Sequence, residues 1–326
     1  MEFDLIDLIR ARCAVTRADV HLGIGDDAAI LAPPPGHDLV VSTDTLVAGV
    51  HFPPGTDAHD LGWKALAVNL SDLAAMGATP AWALLALTLP EASRTFVEAF
   101  ADGFAELAAQ HRVALVGGDT TCGPLTITVV VHGFVPPGQA LRRDGATVGD
   151  LVFVTGTLGD AAGGLRCLDP RDARAAQLFE APGDTREALL ARLQRPTPRV
   201  AAGSALRGLA SAGIDVSDGL VADLGHIAAR SGVGIELDAA SLPASSALLA
   251  LFDDAERLAL QAAGGDDYEL AFTASAARER DILRDLARLG GGATRIGRVV
   301  TGSGVRLLDA TGTVIPLRRR GWEHFA

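Results

Sequence analysis

The chain of 326 residues is too long for one ordinary core and suits two domains, and its 48% hydrophobic content can fill both. A formal net charge of −12, from 40 acidic against 28 basic residues, excludes a nucleic-acid partner, which needs a basic face. Cys13, Cys122 and Cys167 form no CxxC pair, which argues against a disulfide framework or zinc site and makes a reducing, cytoplasmic setting the expectation.

The opening stretch MEFDLIDLIRARC carries acids where a secretory leader would be basic, and its apolar residues recur at helical spacing. No apolar run approaches the roughly 20 residues that span a bilayer. An acidic turn, HLGIGDDAAIL (21–31), precedes DLVVSTDTL (38–46), which reads as a strand running into a polar turn. Residues 60–80 read as a helix that ends at a glycine with proline just beyond. A second helix starts at Ser93, a suitable N-cap, and places Phe96, Val97, Phe100, Phe104 and Leu107 on one stripe. The strand VALVG (113–117), the turn GDTTCGP and the β-rich run 125–135 follow. PPG at 136–138 punctuates the chain, so the expected domains are 1–140 and 149–326.

The second half opens on the strand LVFVTG and a Gly-rich turn, TGTLGDAAGGL, and continues through a polar segment, 169–187, expected to be mobile. Next come a helix near TPRVAAGSAL, a turn and helix in GIDVSDGLVADLGHIAARSG, and a loop entering a strand in GGDDYELAFTA. A further helix and strand lead to the hairpin-like VRLLDATGTVIPL. Strands and helices alternate in both halves, which predicts two α/β domains.

Six acidic turns stand out: Asp26-Asp27, Ser42-Thr43-Asp44-Thr45, Asp72 one helical turn after Asn69, Gly118-Asp119, Asp215 to Asp218, and Asp266-Asp267. Each alone is an ordinary Asx-turn or cap. Together, in an acidic chain, they would repel one another unless cations neutralise them, and short carboxylates beside hydroxyls and carbonyls are the hard oxygen donors Mg²⁺ prefers. Other chemistries lack their motifs. There is no GxxxxGK[ST], no HExxH and no GxSxG, and the only lysine, Lys64, follows Trp63 rather than a Gly-rich loop.

GIGDDAAIL, STDTLVAGVHF, KALAVNLSDLAAMGATP, VGGDTT, DVSDGLVADLGHIA and GGDDYEL follow one another in an order that resembles the thiamine-monophosphate kinases, of the aminoimidazole-ribonucleotide synthetase superfamily. The resemblance runs from Phe3 to Phe325 and is thinnest around 169–190. It implies an N-terminal α/β domain whose strands pair across a homodimer and a C-terminal α+β domain that closes over the nucleotide. The implied reaction takes ATP and thiamine monophosphate to ADP and thiamine diphosphate. Position by position, the implied metal ligands are Asp27, Ser42, Thr43, Asp44, Asp72, Asp119, Asp215 and Asp218. ATP contacts fall on Gly118, Asp119, Arg143 and Ser217, and substrate contacts on His51, Asp266 and Trp322. The family's loop often reads Gly-Gly-Glu-Asp, so Asp266, one methylene shorter, is expected to reach substrate through water. Both reactants are polyanions, so several Mg²⁺ ions are expected between them and an acidic chain. Another ATP-dependent enzyme of the superfamily, or a non-catalytic relative, is the alternative. A selenophosphate synthetase would want a reactive Cys near a Lys, which Cys13 does not have.

Overall fold

The computed structural model describes residues 2–323 and divides into two compact units, one of Met1–Leu73 and Ala78–Ala140, the other of Ala74–Gly77 and Leu141–Ala326.

The first unit contains α1 (Glu2–Arg12), β1 (Val20–Leu22), β2 (Ile30–Leu31), β3 (Asp38–Val47), α2 (Ala58–Ala75), β4 (Thr79–Leu89), α3 (Arg94–His111), β5 (Ala114–Cys122) and β6 (Thr126–Val135). Four strands form one sheet in the order β3-β6-β4-β5, with β4 and β5 parallel and the other pairs antiparallel. The Ser93 hydroxyl caps α3 by accepting from the Phe96 amide, and Val97, Phe100, Phe104 and Leu107 are buried as the stripe predicts. Gly62 of α2 and Gly103 of α3 let the two helix backbones touch. A Cβ on Gly62 would stand 1.9 Å from the Phe100 carbonyl oxygen, and one on Gly103 would stand 1.8 Å from that of His59. STDT (42–45), expected as a polar turn, instead continues β3, because antiparallel pairing with β6 runs on through Ser42↔Val131 to Val47↔Thr126. Along it Ser42, Asp44 and Leu46 face inward, while Leu39, Val41, Thr43 and Thr45 lie on an exposed face. Lys64 is buried.

GDTTC was expected as a turn. It instead continues β5, because parallel pairing with β4 runs on through Gly118↔Leu85 to Cys122↔Leu89. Gly118 (φ 155°) permits this close pairing, since a Cβ there would sit 1.8 Å from the Leu85 carbonyl oxygen.

The second unit contains β7 (Leu151–Thr155), α4 (Asp160–Leu168), α5 (Ala175–Phe179), α6 (Gly183–Gln194), α7 (Val200–Leu206), β8 (Ala212–Asp215), α8 (Leu220–Ser231), β9 (Gly234–Asp238), α9 (Ser246–Leu251), α10 (Asp254–Ala263), β10 (Leu270–Ala274), α11 (Glu279–Arg288), β11 (Ala293–Val300) and β12 (Gly304–Leu308). Its six-stranded sheet has the order β12-β9-β11-β7-β10-β8, antiparallel except for β9 and β12. β7 lies between β10 and β11, and Phe153 stacks on Phe272 across the β7–β10 pair with ring centroids 5.3 Å apart. The polar segment 169–187 contains α5 and the start of α6. Leu178 and Leu189 anchor it in a small core with Cys167, Leu248 and Phe252. The hairpin-like tail keeps one bridge, Leu308↔Val314. No described helix is long and apolar enough to cross a membrane.

Candidate active site

In the first unit, the β3 alternation and helix α2 assemble one oxygen-rich group. The Ser42 hydroxyl donates to Asp72 Oδ2, and the Asp44 amide donates to Asn69 Oδ1 at 3.0 Å. Asn69 is fixed in turn by its own amide on the Ala65 carbonyl, 2.9 Å away. The Ser42 hydroxyl and the Asp72 carboxylate thus meet where one strand face meets one helix, and the Asp44 backbone is pinned to the same helix through Asn69. Thr43 lies on the opposite face, its hydroxyl on the Val129 carbonyl at 3.2 Å, so its side chain does not join this group. Asp27 sits in an exposed turn whose amide donates to Asp26 Oδ1 at 2.9 Å. Gly118 and Asp119 line a cavity of about 100 Å³ with Ile6, Ile9, Ile24, Leu85 and Leu115.

His51 closes the turn after β3. The Val47 amide donates to its Nδ1 at 3.0 Å, while the His51 amide donates to the Val47 carbonyl, also at 3.0 Å. With Nδ1 accepting, the neutral ring carries its proton on Nε2, which makes that edge a donor.

In the second unit, backbone bonds gather four of the predicted residues. Asp266 donates its amide to the Ser217 carbonyl at 2.8 Å, and Trp322 donates its amide to the Asp218 carbonyl at 3.0 Å. Asp215 ends β8 and is buried. Arg143 is exposed, its carbonyl accepting from the Ser231 hydroxyl. Asp266 (φ 66°) and Tyr268 (φ 50°) both adopt the left-handed conformation that non-glycine residues rarely take. The Tyr268 hydroxyl donates to Asp266 Oδ1 at 2.9 Å and fixes that carboxylate.

Behind this loop lies a buried charge network that sequence reading missed. Glu269, fully buried, takes Arg199 through two bonds of 2.6 and 2.5 Å, Arg192 at 2.8 Å and the Thr155 hydroxyl at 2.6 Å. Asp267 accepts from the Gly159 amide at 2.8 Å, and its other oxygen has no hydrogen-bond partner. Burial pushes the Asp267 carboxyl well above the ordinary range, against the pull of the Gly159 amide and Arg192. Asp223 was also missed. Its carboxyl is pushed up to about 7, by burial first and by Asp218 second, while three backbone amides oppose the shift. The one signal in the sequence was an acid in the first turn of a helix, which reads as ordinary capping.

Among the described residues, no three His, Cys, Asp or Glu side chains come together in a group that could hold a metal ion. Mg²⁺ in nucleotide sites uses one or two carboxylates and completes its shell with water and phosphate oxygens. The Ser42 hydroxyl and the Asp72 carboxylate, in contact in the first unit, are oxygen donors of the type such a site uses.

Residues 25–135 match the family described as AIR synthase related protein, N-terminal domain, and residues 147–309 its C-terminal domain. The chain belongs to the AIR synthase related family, an α/β fold of two domains. Within it, the chain is 46% identical to the thiamine-monophosphate kinase of Salmonella typhimurium over 325 residues, covering 100% of this chain and 98% of the relative. It is 38% identical to that of Bacillus subtilis, covering 99% of each. The crystal structure of the Stenotrophomonas maltophilia thiamine-monophosphate kinase is 56% identical, with a TM-score of 0.86 over 94% of this chain and 96% of the other. AaThiL complexed with AMPPCP and TMP is 35% identical, with a TM-score of 0.78 over 99% of this chain and 97% of the other. The resemblance read from the six motifs therefore holds along the full length.

Proposed function

We propose that this protein transfers the γ-phosphoryl group of ATP to thiamine monophosphate, giving thiamine diphosphate and ADP. The carrying observation is full-length similarity to AaThiL, which holds an ATP analogue and TMP together, with both acidic groups present in this chain. The acceptor phosphate oxygen is already ionised at neutral pH, so no side-chain base is required, and positioning with charge neutralisation carries the catalysis. Mg²⁺, when bound, neutralises phosphate oxygens and lets two polyanions approach. Asp27, Ser42, Asp44, Asp72, Asp119, Asp215 and Asp218 are the residues that would hold it, with Thr43 offering only its main chain on that side.

Gly118 and Ser217 present main chain to the nucleotide, and Arg143 adds positive charge near its phosphates. In the first unit, the His51 Nε2–H is the substrate contact in this reading; in the second, the Asp266 carboxylate reaches substrate through water and Trp322 packs on its ring. Transfer is direct, without a phosphoenzyme. A homodimer is part of this reading, supported by the exposed β3 face with Leu39 (48% exposed) and Val41 (53%). So is a cytoplasmic setting, supported by three unpaired thiols.

The test is turnover of purified protein with ATP, Mg²⁺ and thiamine monophosphate, with products separated by chromatography. Thiamine diphosphate formed in step with ADP is expected. ATP consumption without it, or no reaction, would overturn the reading.

A further inference from the structure

The loop between β8 and α8 turns three consecutive backbone amides, those of Ser217, Asp218 and Gly219, onto a single oxygen. The acceptor is Asp223 Oδ2, at 3.1, 3.1 and 3.0 Å. Successive amides aimed at one point make a nest, a concavity that in nucleotide-binding proteins commonly takes a phosphate oxygen. Here its guest belongs to the chain. Asp223 lies on the first turn of α8, is 3% exposed, and donates its own amide to the Gly219 carbonyl at 2.9 Å. Gly219 (φ 131°) packs so tightly that a Cβ would stand 3.0 Å from the Ala263 backbone, which fixes the loop's path from the other side.

Three amides spent on an internal carboxylate are unavailable to a phosphate. Three hydrogen bonds converging on one buried oxygen hold the loop firmly. The same five residues carry two further carboxylates, Asp215 and Asp218, so a polyanionic nucleotide meets negative charge there. We propose that Asp223 is the positioning residue of the 215–219 loop: by filling the amide nest it converts a phosphate-type loop into one that binds nucleotide only through a divalent cation, and it sets the cation affinity of Asp215 and Asp218 without touching the cation. The proposal rests on the reading of those two residues as metal ligands.

The test is Mn²⁺ binding to the full-length protein, followed by electron paramagnetic resonance with AMPPCP present, for the parent, Asp223→Asn and Asp223→Ala. Supporting groups behind metal ligands change affinity by about 10–100-fold, and both variants should fall in that range. The Mg²⁺ concentration for half-maximal turnover should rise with it, while KM for thiamine monophosphate at saturating Mg²⁺ stays unchanged. In addition, Asp223→Ala, with its nest vacated, should bind inorganic phosphate by calorimetry where the parent does not. Unchanged Mn²⁺ affinity in folded variants would overturn the proposal, as would a parent that binds no Mn²⁺. If neither variant folds, amide hydrogen exchange in the parent decides. Slow exchange at 217–219 supports the nest, and exchange at the rate of an open loop refutes it. Failure of the parent to make thiamine diphosphate, with the Mn²⁺ shift intact, would sink the proposed function and leave this inference standing.

Discussion

Replacing Glu269 by alanine isolates how far the second unit depends on one buried carboxylate. The side chain has no exposed surface and meets Arg199 at 2.5 and 2.6 Å and Arg192 at 2.8 Å, with Thr155 on a further lone pair. At such distances each ion pair attracts by roughly 6 kcal/mol at an effective dielectric near 20. Desolvating three charged groups offsets most of that, so the net worth of the network in the intact protein is small. Truncation is different, because it leaves two guanidinium groups partly buried without their counter-charge, at a cost of about 3–5 kcal/mol. Set against a total stability of about 5–15 kcal/mol, that is a large fraction. For a unit of this size, each kcal/mol lowers the melting temperature by about 2–4 °C, giving an expected fall of about 6–20 °C. Thermal unfolding followed by circular dichroism reads it directly. Glu269→Gln, which keeps the shape and one acceptor, should lose less. Adding Arg199→Leu to Glu269→Ala should recover part of the loss by removing one orphaned charge. A fall of under about 2 °C for Glu269→Ala would refute the reasoning, because the guanidiniums would then be solvated where the structure places them against carboxylate.

Asp44→Asn and Asp72→Asn keep side-chain volume and remove charge beside the Ser42–Asp72 contact. Both should fold like the parent and lose at least about tenfold in kcat at fixed Mg²⁺, and excess chelator should abolish parental turnover; full activity in either case contradicts the metal role. Asp267 is held well above 3.8 by burial, so the folded state keeps a proton that the unfolded chain releases, and its contribution to stability is lost as pH rises. Asp267→Asn, a stand-in for the neutral acid, should therefore gain in melting temperature relative to the parent as pH rises above the ordinary carboxylate range of about 4, and a difference constant with pH would refute this. Cys122 is exposed, whereas Cys13 and Cys167 are buried, with burial first and Asp102 second pushing Cys13 up to about 12. A thiol reagent should titrate one group quickly in the native protein and three in denaturant; two fast groups would contradict the burial.

The apolar stripe of α3 was legible, since it is read by the same packing that forms the helix, whereas STDT was read as a turn because its polar residues do not reveal the pairing of β3 with β6, about 80–90 residues away. GDTTC was misread because Gly and Asp signal turns locally, while the parallel partner that keeps β5 extended lies about 30 residues away in β4. The helices α5 and α6 were not read from the 169–187 stretch because buried leucines among charged residues give no periodic stripe, yet Leu178 and Leu189 suffice to dock them. At the site, the acidic turns stood out because carboxylates must converge for the chemistry. Their supports did not. Asp223 looks like a helix cap, and Glu269 in YELAF sits in an alternating run that does not reveal two arginines from distant helices.

The position of β7 in the middle of its sheet has a consequence during synthesis. Its neighbours, β10 and β11, follow about 120 residues or more later in the chain. At roughly 5–20 residues per second, the strand leaves the ribosome and waits about 6–24 s for either edge to be paired. LVFVT is uncharged, β-prone and free of proline, the composition that adheres to its own kind while unpaired. The yield of soluble protein should then depend on how quickly the stretch of message between β7 and β10 is translated, and on chaperones that cover this strand meanwhile, more than on the stability of the finished fold.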